Sequence, residues 1–171
     1  MRKAPLLLLG LAALATVPAV GQALKGHNTH TPVDVEADRI EVQDRADRAV
    51  FSGNVAVRQA DLTLNAGRLT VAYSRAGGGV DIERLDASGG VFIRSPSETA
   101  RGDFAIYDLN RRLITVVGGV VLNQGANTVR GGRLVIDLDS GRAVVDGRSA
   151  GGEGGTSGRV SGRFTVADTR K

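Results

Sequence analysis

The stretch Ala49-Val50-Phe51-Ser52-Gly53-Asn54-Val55-Ala56-Val57 decides how the chain is read. Ala49, Phe51, Gly53, Val55 and Val57 share one parity, and the polar Ser52, Asn54 and Arg58 share the other. This is the period-two pattern of a strand with one apolar face. Gly53 stands where a side chain would project inward, which marks a bend or a close backbone approach.

The pattern recurs in Leu85-Ala87-Gly89-Val91-Ile93 and Ile114-Val116-Gly118-Val120-Leu122. A shorter copy, Arg142 to Gly147, follows Arg48 to Gly53 almost letter for letter. A second half-motif precedes each glycine. Asp38-Arg39-Ile40-Glu41-Val42 aligns with Gly67-Arg68-Leu69-Thr70-Val71, with Gly102-Asp103-Phe104-Ala105-Ile106, and with Gly132-Arg133-Leu134-Val135-Ile136. The chain therefore reads as four copies of a two-part β unit. Repetition at this period implies a stacked, solenoid-like or rolled array. The parity slips at Asp38-Arg39 and again between Ala66 and Leu69, and such slips keep one face inward only where a strand turns a corner or carries a bulge. Outside the first 23 residues no window of helical length shows a 3.6-residue apolar period. The fold class is all-β.

Arg2 and Lys3, the apolar run Leu6 to Val17, Pro18 and the small-residue site Gly21-Gln22-Ala23 make residues 1–23 a secretory signal peptide. The run is short of the roughly 20 residues that span a bilayer, so cleavage and export to a bacterial periplasm are expected rather than anchoring. Residues 24–32 read as a flexible leader, 33–147 as the β domain, and 148–171 as a Gly-rich linker and tail. In that tail Arg159 to Val166 is expected to form a last weak strand that could fold back over Arg142 to Gly147.

Composition bounds the function. The 171 residues suffice for one domain, and there is no cysteine, so neither disulfides nor thiol chemistry enters. Loss of residues 1–23 would lower the formal charge from +4 to +2, far from the charge of a nucleic-acid-binding surface. The two histidines, His27 and His30, lie in the leader without carboxylate or thiol partners in sequence, and Pro32 follows them. Asp137 to Gly141 lacks the remaining ligands of a calcium loop, and Gly77-Gly78-Gly79 lacks the lysine of a phosphate loop. The chain offers no nucleophile with its base, no metal set and no cofactor motif. No enzymatic activity is expected.

The alternation predicts an interior lined by Val35, Ile40, Val42, Phe51, Val55, Val57, Leu69, Val71, Ile93, Phe104, Ile106, Val120, Leu122, Leu134 and Ile136. These residues are nearly all aliphatic, with only two large aromatics. A rolled sheet lined in this way has room for acyl chains, each buried methylene contributing about 0.8 kcal/mol. An ordinary packed β core accounts for the same composition.

Val33-Asp34-Val35-Glu36-Ala37-Asp38, the Phe51-Ser52-Gly53-Asn54-Val55 centre, Asn65-Ala66, Val116 to Leu122 and Gly131-Gly132-Arg133-Leu134 together resemble the OstA-like family over roughly Val33 to Gly147. The resemblance implies a rolled β-jellyroll of stacked antiparallel strands, open along one side. It implies a groove for the lipid A acyl chains of lipopolysaccharide, and adds Val33 beside Val35 as an N-terminal groove position. It also implies head-to-tail association, with itself or with LptC-like inner-membrane and LptD-like outer-membrane proteins. Tyr73 falls where the family places a basic residue, with Arg75 nearby. A membrane-anchored LptC-like bridge and an exported β-solenoid without lipid cargo remain open at this point.

Overall fold

The computed structural model describes residues 27–147 and 158–165. Ten strands form one sheet: β1 (Asp34–Glu36), β2 (Arg39–Gln43), β3 (Arg48–Gln59), β4 (Leu62–Ser74), β5 (Asp81–Arg94), β6 (Glu98–Asp108), β7 (Leu113–Gln124), β8 (Asn127–Asp137), β9 (Arg142–Asp146) and β10 (Ser161–Arg163). Strands β3 to β8 form an antiparallel meander. Both ends of the sheet are split: β1 and β2 pair with different parts of β3, and β9 and β10 with different parts of β8. Two short 3₁₀ turns, Asp44–Ala46 and Ala76–Gly78, lie in the connections between strands.

The glycine positions read from the sequence are bends. In β3, Gly53 (φ 79°) and Asn54 (φ 47°) both adopt the left-handed conformation and together oppose the single residue Gly67 of β4. Gly89-Gly90 in β5 and Gly118-Gly119 in β7 repeat the device, opposite Asp103 of β6 and Gly132 of β8. Two residues against one is a β-bulge, which turns a strand and increases its twist. Because the bulges lie side by side, one bend line crosses the stack and folds the sheet into two facing layers. The first layer holds residues such as Leu69, Leu85, Tyr107, Ile114, Leu134 and Ile136. The second holds Val55, Val57, Leu64, Val91, Ile93 and Val120. All twelve are buried, and they form one core.

The register exposes a longer internal repeat. Asp38, Gly53, Gln59, Gly67 and Leu69 recur 65 residues later as Asp103, Gly118, Gln124, Gly132 and Leu134 without a gap. At the bend the correspondence is physical. A β-carbon on Gly53 would meet the Asp38 carboxylate, and one on Gly118 would meet that of Asp103. Asp38 also accepts a hydrogen bond from Asn54 Nδ2 at 2.9 Å, and its backbone N–H donates to Gly53 O at 2.9 Å.

This register corrects two sequence expectations. Reading the β6 half-motif from Gly102 pointed Phe104 and Ile106 inward. The bend residue of β6 is Asp103, so Ala105 and Tyr107 occupy the inward positions, Phe104 is 57 % exposed and Ile106 lies on the outer face. In the tail, the expected last strand forms as β10. β10 pairs with residues 128–130 of β8, beside β9 rather than over it, and Val166 lies outside the described residues.

Candidate functional site

The inner face is built of ladders, each strand contributing one residue to the same row. One row runs Ile40, Phe51, Leu69, Ala87, Ala105, Val116, Leu134, Val145. A second runs Val42, Ala49, Val71, Leu85, Tyr107, Ile114, Ile136, Ala143. In the facing layer Val35, Val57, Leu64, Ile93, Ala100, Leu122 and Val129 make a third. Apolar residues opposite one another across strands are the stabilising unit of a sheet.

The structure thus brings most of the sequence-predicted residues together. Val55, Val57, Leu69, Val71, Ile93, Val120, Leu134 and Ile136 are buried, and Val33, Val35, Phe51 and Leu122 pack against them half-buried. Ile40 and Val42 continue the inner rows but are 55 % and 58 % exposed. They sit on an edge strand, where no neighbour covers them. Leu64, Leu85, Tyr107 and Ile114 also share the inner face; the alternation already carries Leu85 and Ile114, although the expected interior lining omits them, and Tyr107 was missed.

The space between the layers is narrow. A cavity of about 20 Å³ is lined by Val33, Val57, Leu62, Leu85, Tyr107 and Ile114 among others, with Gln59 as its polar member. That is close to the room one water needs.

Opposite the bend, the layers meet at a mouth formed by the hairpin ends. Gln59, 3 % exposed, is its hub. Its Nε2 donates to the carbonyl oxygens of Thr29 and Thr31, each at 3.0 Å. These two bonds fix the amide so that Oε1 accepts the Tyr107 hydroxyl at 3.1 Å, across the mouth. His27 Nε2 lies 3.1 Å from the same Oε1, and His27 Nδ1 lies 3.3 Å from Asp61. Farther along, Arg112 contacts His30 Nε2 at 3.3 Å and donates to Asp139 at 2.7 Å. The segment read from sequence as a loose leader is, over residues 27–32, a strap from the β3–β4 turn to the β6–β7 turn. Burial pushes the Tyr107 phenol up to about 12, opposed by the positive charge of Arg112. At the outer end of the first layer, Arg75 donates to Asp44 at 2.7 Å and stacks on Tyr73. Among the described residues no group of histidine, aspartate and glutamate side chains could hold a metal ion.

Residues 34–142 match the family described as LptA/(LptD N-terminal domain) lipopolysaccharide transport protein. The chain belongs to that family. An uncharacterized protein of Rhizobium meliloti is 35% identical over 144 residues, covering 80% of this chain and 77% of the relative. Among solved structures, LptH of Pseudomonas aeruginosa superposes with a TM-score of 0.70 at 21% identity, covering 82% of this chain and 99% of that one. LptH is described as the LptA-homologous periplasmic component of the conserved lipopolysaccharide transport device. The likeness in fold agrees with the rolled, open jellyroll expected from the sequence.

Proposed function

We propose that this LptA-family chain carries lipopolysaccharide across the periplasm by holding its acyl chains between the two layers. The observation that carries the reading is a continuous apolar inner face that stays open at its ends. Its rows run through every strand from β2 to β9 and leave Ile40 and Val42 uncovered at the first edge. Neither outer edge of the sheet has a strand partner among the described residues, and unpaired edges accept added strands. The first edge receives a like-folded domain from the inner-membrane side, LptC-like, and the last edge meets one from the outer-membrane side, LptD-like, or another copy of the chain. Residues 1–23 direct export and are removed. Acyl chains enter by parting the layers at the mouth, where side-chain bonds and the strap hold them.

The test separates cargo from folding. Ile40→Asp puts a charge on an inner row at an exposed position, where it threatens the fold least and apolar cargo most. Lipopolysaccharide co-purifying with the wild type and lost from a folded Ile40→Asp variant supports the reading, and equal lipid content overturns it. Photo-crosslinkers at Val35 and Val144 are expected to capture like-folded domains in cells. Capture from Arg58 on the outer face, with none from the two edges, overturns the end-to-end arrangement.

A further inference from the structure

The outer face of the second layer carries a charge pattern that cargo binding between the layers does not use. Arg94, Arg101, Arg130 and Arg163 all point outward from it and are exposed. Among the described residues Arg101, Arg130 and Arg163 form no ion pair, and Arg94 stacks only on Phe92, at 5.5 Å. From β4 to β10 the other outward positions of this layer carry only Thr, Asn, Ser, Phe and Val, with no carboxylate. Of the acids on the layer's strands, Asp34 and Glu36 lie on β1 at the far edge, with Glu36 engaged by Arg58 at 3.4 Å, Glu98 of β6 is buried on the inner side, and Asp103 stands at the bend.

The 65-residue repeat shows that this charge is not a consequence of the fold. Glu36 occupies in the first copy the place that Arg101 occupies in the second, and Asn65 the place of Arg130. Val35, Val55, Val57 and Leu64 stay apolar as Ala100, Val120, Leu122 and Val129, and at the mouth Glu98 and Asn127 replace Val33 and Leu62, while the outer face turns cationic in one copy. The opposite layer differs again: its outward Arg84 is paired with Asp86 at 2.7 Å, and Arg111 in its β6–β7 turn faces Asp108 at 3.8 Å.

We propose that this plane docks on an anionic lipid surface. Its shape and chemistry favour a bilayer over a soluble polyanion. The plane spans β5 to β10, four strand spacings or about 19 Å. Apart from the free edge of β10, its backbone groups are used in the ladders, so the face itself meets a partner through side chains alone. Phe92 and Val121 alternate with Arg101 and Arg130 along one cross-strand row. Shallow apolar groups set among arginines suit the headgroup boundary, where the guanidinium reaches phosphate and the apolar groups meet the upper acyl region. A water-soluble glycan offers nothing to the apolar members.

The experiment uses the chain lacking residues 1–23 and vesicles of phosphatidylcholine with or without about one-third phosphatidylglycerol. Sedimentation with the anionic vesicles alone, weakening as salt rises, is expected. Each arginine near an anionic surface contributes roughly fivefold in partitioning, so Arg101→Ser with Arg130→Ser should weaken binding by roughly 25-fold. Arg84→Ser with Arg111→Ser should leave it within about twofold. No binding to anionic vesicles, or equal losses in the two double variants, overturns the proposal. So does binding to heparin without binding to vesicles, which would make the partner a glycan. Ile40→Asp should bind vesicles as the wild type does, and its failure to do so would assign the lipid contact to the interior and overturn the docking plane.

Discussion

Two lines run the length of the stack, and they hold the layers together by different means. Along the bend, the chain itself crosses from one layer to the other at Gly53-Asn54, Gly89-Gly90 and Gly118-Gly119, in conformations that side chains disfavour. Along the mouth, nothing covalent joins the layers within the sheet; Gln59, Tyr107 and the strap of residues 27–32 do so through side-chain hydrogen bonds. A net hydrogen bond contributes only about 1 kcal/mol. The comparison teaches where the molecule can move. If the layers part, they hinge at the glycines and open at Gln59.

The strongest way to break this contrast is Gly118→Val. Its φ of 82° and the Asp103 carboxylate against its missing β-carbon oppose any side chain. A loss of at least about 3 kcal/mol is expected in urea unfolding. Gly119→Ala next to it meets open space at φ 52° and should cost only about 1 kcal/mol. Equal losses would show that crowding by Asp103 does not shape the bend.

At the mouth, Gln59→Leu leaves the Tyr107 hydroxyl and the carbonyls of Thr29 and Thr31 without their partner. A cost of about 2–3 kcal/mol is expected. Hydrogen exchange should accelerate in residues 27–33 and at the β6–β7 turn while the bend strands stay protected. Uniform acceleration would mean that mouth and bend form one cooperative unit.

Tyr107 sharpens the comparison through pH. Its phenol stands at about 12 folded against 10.0 when unfolded. The folded chain therefore keeps its proton at pH values where the unfolded chain has lost it. The stabilisation is whole below pH 10 and is lost as pH rises from 10 to about 12, by up to about 2 kcal/mol. Tyr107→Phe should flatten that alkaline limb in urea titrations, and an unchanged limb would place the titration elsewhere. The smallest effect belongs to His27→Ala, which removes one contact to Gln59 and one to Asp61. About 1 kcal/mol, confined to the strap, is expected from exchange of the Thr29 to Thr31 amides.

Much of this was legible in the sequence, and the losses have particular causes. Alternation placed Leu69, Val71, Leu134 and Ile136 inward because their bend partners, Gly67 and Gly132, are glycines. It failed at Phe104 and Ile106 because the matching bend residue is Asp103, and Gly102 beside it misled the register by one. The pairing of Asp38 with Gly53, 65 residues before Asp103 with Gly118, was the signal that would have prevented the slip. Ile40 and Val42 were placed on the correct face, but their exposure depends on having no neighbour beyond β2, which no local pattern encodes. The strap was not legible, since Gln59 reaches Thr31 and Thr29 across 28 and 30 residues of chain and a polar stretch before a proline carries no mark of its anchor.

The gapless 65-residue register also works as a length standard. One unit contributes four strands, an even number, so a chain with one more unit would end on a strand of the same direction, with the same edge and with its mouth on the same side. Such a chain would be longer by four strand spacings, about 19 Å. Reach in this architecture is therefore quantised: it grows in fixed increments, whether the next increment is fused into the chain or arrives as a separate molecule.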